Sequence, residues 1–226
     1  MTTLPSPPTT PPPILPRFAI RPAIGSDLPS ILEIYNGQII DTNAFFWLQP
    51  STLKDRHAWL DHLRANEYPV IVAVETGAEM IVGCCALAPF APGKSSKSRC
   101  AEVLLYIHKD HYEQTGPAPY LMREIQRLAT RNQFDTIIAS IGSDNTPYLA
   151  LHHWLGYVPV GAVRHCVRKN GRWLYVEFHE LRLGGWENHD DRDRDTSVNV
   201  EMVKIKPDLI SVEKARESVW YWGGKE

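Results

Sequence analysis

The stretch Ala101-Glu-Val-Leu-Leu-Tyr-Ile-His108, continuing through Lys109 to Ala118 and into Pro119 to Gln133, decides how this chain folds. Glu102 opens an apolar strand, the strand runs into a Gly/Pro turn, and the turn feeds a helix. Pro117 and Pro119 fit only as lead-in and first-turn residues, because an interior helix position needs the amide that proline lacks. Amides on a turn and at a helix start have no intrahelical partner and carry the positive end of the helix dipole. They therefore make a seat for a phosphorylated ligand. The strand beside them can hold a carboxylate at the reacting end of that ligand, and the combination points towards acyl transfer.

The rest of the chain alternates hairpins and helices around this unit. Ala19 to Arg21 reads as a short strand, and Asp27 as the cap of a helix over Leu28 to Ile40 with an apolar stripe of Leu28, Ile31, Leu32, Ile34, Tyr35 and Ile39. Ser51 or Thr52 starts a second helix, to about Asn66, with Leu53, Trp59, Leu60 and Leu63 inward. Val70 to Glu75 and Met80 to Leu87 form a hairpin about Gly77. After the decisive unit come a strand over Thr136 to Ile141, a short helix over Pro147 to Leu155 closed by Gly156, and a hairpin of Val158 to Cys166 with Trp173 to Leu181. This order predicts an α/β fold: a central mixed twisted sheet with helices on both faces.

Residues 1–17 are a proline-rich arm, with seven prolines in the first sixteen positions, and residues 18–185 are the compact domain. Residues 186–226 begin with a charged linker, Glu187 to Asp195, and continue as an extension with some apolar periodicity. The arm reads as neither a signal peptide nor an anchor, so the expected address is the cytoplasm. The net charge of -2, from 24 basic and 26 acidic residues, argues against a dedicated nucleic-acid or membrane-surface binder. Cys84, Cys85, Cys100 and Cys166 have no metal-ligand spacing and read as free thiols; no metal is expected.

With these elements in place, the chain resembles the GCN5-related N-acetyltransferase (GNAT) superfamily, in its phosphinothricin acetyltransferase-like branch. The matching stretches are Ile20-Arg-Pro-Ala23, Ile34-Tyr-Asn36, Ala88-Pro-Phe90, Glu102 with Tyr106-Ile107, the turn and helix after His111, Ile141 to Asn145, Leu151-His152 with Leu155-Gly156-Tyr157, and Gly171-Arg-Trp173. The resemblance implies that two neighbouring parallel strands splay apart and that acetyl-CoA lies between them. The pantetheine arm would pair with the backbone of Leu105, Tyr106 and Ile107. The pyrophosphate would sit on the turn holding Gln114, Thr115, Gly116 and Ala118, and Asn145 would bond the pantetheine. Two positions depart from the family turn: Glu113 stands where a basic or amide residue is expected, and Pro117 removes a donor.

The resemblance also assigns Glu102 the acceptance of the amine proton. A solvent-facing strand-end Glu is the competing reading, and the job needs a carboxylate shielded enough for its pKa to rise. The resemblance also implies that the helix after Asn145 supplies a residue near the thiolate; Tyr148 or His152 is nearest, and a Tyr could protonate the departing CoA sulphur. Asn145 also suits a plain helix cap. His152 reads as a packed helix brace or a second base. Cys100 shares the Glu102 face by alternation, yet has no local partner to activate it.

Tyr35, Phe46, Phe90 and Trp173 are the expected substrate-pocket wall. The family Trp-x-Asp triplet is Trp173-Leu-Tyr175 here, without its carboxylate. The resulting expectation is an acetyl-CoA-dependent N-acetyltransferase for the primary amine of a small molecule, amino-acid-like or a toxic metabolite. Its partner would be that amine, with neither nucleic acid nor membrane, and the resemblance implies a homodimer. The alternative is a catalytically degenerate relative that binds a metabolite or protein partner.

Overall fold

The computed structural model describes residues 17–41, 49–90, 99–112, 116–169 and 171–184. Seven strands form one sheet: β1 (Phe18–Pro22), β2 (Val70–Glu75), β3 (Ile81–Pro89), β4 (Cys100–Ile107), β5 (Thr136–Gly142), β6 (Val158–Lys169) and β7 (Arg172–Arg182). Among the described residues four α-helices accompany them: α1 (Leu28–Asp41), α2 (Leu53–Ala65), α3 (Ala118–Arg131) and α4 (Thr146–Trp154). The strand order is β1-β2-β3-β4-β5-β7-β6, and only the β4–β5 neighbours are parallel. The expected mixed α/β sheet is the one observed.

Alternation along the strands divides the core into two layers. Ala101, Val103, Leu105 and Ile107 of β4 pack with Ile137, Ala139 and Ile141 of β5 under Leu121, Met122 and Ile125 of α3. Tyr106 turns to the opposite face, into a cluster with Leu28, Ile31, Tyr35 and Ile39 of α1 and Trp59, Leu60 and Leu63 of α2. β4 is thus clamped from both sides, and a strand held this way can carry functional groups at fixed positions.

Two local readings change. Asp27 does not cap α1 directly. It closes a single turn at Gly25–Asp27, where its carboxylate accepts the Ile24 amide at 2.8 Å and both ends of the Arg21 guanidinium at 2.7 and 2.9 Å. In α2 the cap is Thr52, through a reciprocal box with Asp55, but Leu53 faces out and Arg56 faces in. Arg56 instead lays its guanidinium over the rings of Tyr35 (4.2 Å) and Trp59 (5.2 Å) and bonds Ser51 Oγ.

Gly83 shows how closely α3 presses on the sheet. A Cβ there would lie 2.9 Å from Leu121 Cδ1, 3.0 Å from Ile107 Cδ1 and 3.2 Å from the Tyr106 carbonyl oxygen. The two methyl ends can yield, but the backbone oxygen cannot. Gly83→Ala is therefore expected to cost about 1–2 kcal/mol of stability by overpacking. Urea unfolding would measure it, and an unchanged midpoint would disprove the tight contact.

Candidate active site

β4 and β5 pair through only three register positions: Cys100↔Thr136, Ala101↔Ile137 and Glu102↔Ile138. Beyond them β4 stays with β3 as far as Ile107, while β5 stays with β7 as far as Gly142. The two strands therefore fork, and among the described residues the facing edges of 103–107 and 139–142 have no partner strand. Fork edges carry backbone donors and acceptors that demand satisfaction. Because His108 donates its amide to Val82 of β3, alternation aims the amide and carbonyl of Tyr106 at β3 as well. Those of Leu105 and Ile107 aim into the fork.

Side chains occupy these edges. Tyr148 of α4 donates its hydroxyl to the Leu105 carbonyl at 3.0 Å, and Gln38 of α1 donates Nε2 to the Ile107 carbonyl at 2.7 Å. Burial, with Tyr112 and Cys85 nearby, pushes the Tyr148 phenol far above its ordinary range, so it stays protonated and a hydrogen-bond donor. The Asn145 side chain makes no cap bond to α4, although its carbonyl accepts from Tyr148 and Leu149. Asn145 is thus the N-cap residue of α4 through its backbone, and its side-chain amide takes no part in the cap.

Glu102 stands at the base of the fork, on the α1/α2 side of the sheet. Ser140 of β5 donates its hydroxyl to Glu102 Oε1 at 2.6 Å. Burial raises the Glu102 pKa, and the Ser140 hydrogen bond partly offsets it. Cys100, on the same face, is held as a thiol by burial and by the Glu180 and Glu102 carboxylates, which argues against an acyl-cysteine route.

The other expected site residues fall in different places. Gly116 and Pro117 are buried at the start of α3, where Pro117 is the N-cap. Pro119 has no amide, so Ala118 and Tyr120 supply the first-turn donors of that helix, with Gly116 just ahead. Gln114 and Thr115 of the turn, and Phe46 of the expected pocket wall, lie outside the described residues. Tyr35 is buried, edge-on to Tyr106 at 5.3 Å. Phe90 is half-buried just past the end of β3, and Trp173 is exposed on β7 beside His165. His152 is fully packed: Nδ1 meets the Tyr148 carbonyl at 2.8 Å and the ring lies edge-on to Tyr157 at 4.8 Å. Packing, as a helix brace, is the role this geometry fits.

Gln38 and Ser140 did not figure in the sequence reading. The only hint for Gln38 was a polar residue beside the apolar stripe of the first helix, and for Ser140 a polar residue within a largely apolar strand. Among the described residues no group of three or more His, Cys, Asp or Glu side chains could hold a metal ion, and no helix is long and apolar enough to cross a membrane.

A mixed sheet forked between its parallel strands, with helices on both faces, is the GNAT architecture. The sequence profile of the acetyltransferase (GNAT) domain matches residues 20–175, and the chain belongs to that family. It is 30% identical over 165 residues to an L-methionine sulfoximine/L-methionine sulfone acetyltransferase of Pseudomonas aeruginosa, covering 73% of this chain and 94% of that one. It is likewise 30% identical to an L-amino acid N-acyltransferase of Escherichia coli, covering 74% and 94% of the two chains. A phosphinothricin acetyltransferase of Sinorhizobium meliloti, solved in complex with AcCoA, superposes with a TM-score of 0.70 at 26% identity, covering 74% of this chain and 89% of that one.

Proposed function

We propose that this protein is an acetyl-CoA-dependent N-acetyltransferase of the phosphinothricin acetyltransferase-like branch, acting on the primary amine of an amino-acid-like small molecule. The observation that carries this reading is the fork, with a shielded carboxylate at its base and a phenol held within it. The free edge of β4 offers the Leu105 amide to polarise the thioester carbonyl. Glu102 takes the proton released as the amine attacks, through a water where the two do not touch. Tyr148 gives its proton to the departing thiolate. Nitrogen–carbon bond formation and carbon–sulphur cleavage occur on the bound reactants, and no covalent enzyme intermediate is needed.

The Leu105 and Ile107 edge and the uncommitted Asn145 amide would hold the pantetheine. Gly116, Ala118 and the turn containing Gln114 and Thr115 would hold the pyrophosphate, while Tyr35, Phe46, Phe90 and Trp173 would wall the acceptor site. The unit is residues 18–185, flanked by the arm 1–17 and the extension 186–226. A homodimer fits the exposed apolar side chains of Val158, Val160 and Val163 on β6 with Trp173 and Tyr175 on β7. Four free cysteines suit the cytoplasm.

Isothermal titration of the full-length protein with acetyl-CoA, and with free CoA for comparison, tests the reading. The expected result is saturable one-to-one binding, followed by CoA release with L-methionine sulfone or another amine of an acceptor panel. A folded protein that binds neither CoA species would overturn it in favour of the non-catalytic alternative.

A further inference from the structure

Glu102 is the last residue of β4 paired to β5, opposite Ile138. Ser140 is two residues further along β5, past the last pair and on the same face. The 2.6 Å bond between their side chains therefore crosses the mouth of the fork where the backbone ladder has ended. It is the one hydrogen bond that the Glu102 side chain makes among the described residues, and no cation pairs with it there.

We propose that Ser140 is the positioning residue for the base: its hydroxyl fixes Glu102 Oε1 and leaves Oε2 to receive the acceptor's proton. The proposal rests on the acetyltransferase reading above. A glutamate has three side-chain torsions, the last of which turns the two carboxylate oxygens, and burial alone does not choose among their combinations. One short charge-assisted bond does choose. It also joins the two strands at the point where they part, so the base stays in register with the fork edge carrying Leu105.

The surrounding charges do not substitute for this bond. Cys100 and Tyr106 share the face on β4, and Glu180 of β7 lies in the same row beyond Ile138. Glu180 is engaged with Arg182 at 3.4 Å. From the helices, Tyr35 and Arg56 face Tyr106. Two opposing influences thus act on the Glu102 proton: burial, which retains it, and the Ser140 hydroxyl, which favours its release.

The test is a pH titration of the carboxyl carbon by NMR in ligand-free protein with labelled Glu side chains, assigned by the signal missing from Glu102→Gln. Ser140→Ala should move the midpoint up by about one pH unit or more, since a hydrogen bond to a charged group is lost. Ser140→Thr, which keeps the hydroxyl, should restore it. An Ala midpoint equal to wild type, or a Thr midpoint matching Ala in a folded protein, overturns the proposal.

The second readout is the acid limb of kcat/KM with acetyl-CoA and L-methionine sulfone, which should shift upward by the same amount in Ser140→Ala. A limb that stays in place while turnover falls overturns the positioning role. Should the wild type acetylate no amine at all, the acetyltransferase reading fails, and the carboxyl titration still decides whether Ser140 governs Glu102.

Discussion

Glu102→Gln is expected to lower kcat by roughly 100-fold or more, the range in which a positioned general base operates, while leaving acetyl-CoA affinity unchanged. The substitution keeps shape and removes only the ability to take a proton. Affinity should survive because the fork edge that would bind pantetheine, at Leu105 and Ile107, lies beyond Glu102 and is held by β3. The pH profile sharpens the test. A base works only when deprotonated, so the wild-type rate falls as pH drops through the Glu102 pKa. Burial puts that fall at a higher pH than for a free glutamate. The Gln variant should lose this acid limb along with the rate. Turnover within a few-fold of wild type, with an acceptor already established, would remove Glu102 from the chemistry.

The strand–turn–helix unit and the two-layer sheet were legible because they rest on local periodicity: alternation in 101–108, the stripe of α1, and prolines confined to the start of α3. The candidate base was legible through its place at the head of an apolar strand. What escaped was polar pairing between distant parts of the chain. Gln38 meets the Ile107 carbonyl across 69 positions, and Ser140 meets Glu102 across 38. Nothing in a local window encodes such contacts; the packing of α1 on β4 brings the first pair together, and the β4–β5 fork the second.

Arg56 illustrates the same limit in the core. Hydropathy assigns a cation to solvent, whereas its guanidinium stacks on Trp59 of its own helix and on Tyr35, a ring that only the α1–α2 pairing supplies. The misplacement of Leu53 is the other half of that exchange. Sequence patterning located the elements, and their packing then selected the polar residues that meet.

Stability is expected to fall as the pH drops from about 6.5 to about 4 because of one buried ring, and His152→Asn should flatten that fall. Burial lowers the His152 pKa to about 4, reinforced by His179 and only partly opposed by the bond to the Tyr148 carbonyl. An unfolded histidine titrates near 6.5. Between the two values the unfolded chain binds the proton and the folded chain does not, so stability rises with pH across this window and falls on acidification. The full difference amounts to about 3 kcal/mol, all of it lost below about pH 4. Glu102 works the other way, since its raised pKa lets the folded state take up a proton first. That contribution cancels when wild type and variant are compared at each pH. His152→Asn should be the less stable protein at pH 7, having lost the ring packed on Tyr157, yet should lose less between pH 7 and pH 4. Urea midpoints at half-unit steps would read this directly. Parallel curves for the two proteins would mean that His152 carries its proton in the folded state, contrary to its packing between Tyr148 and Tyr157.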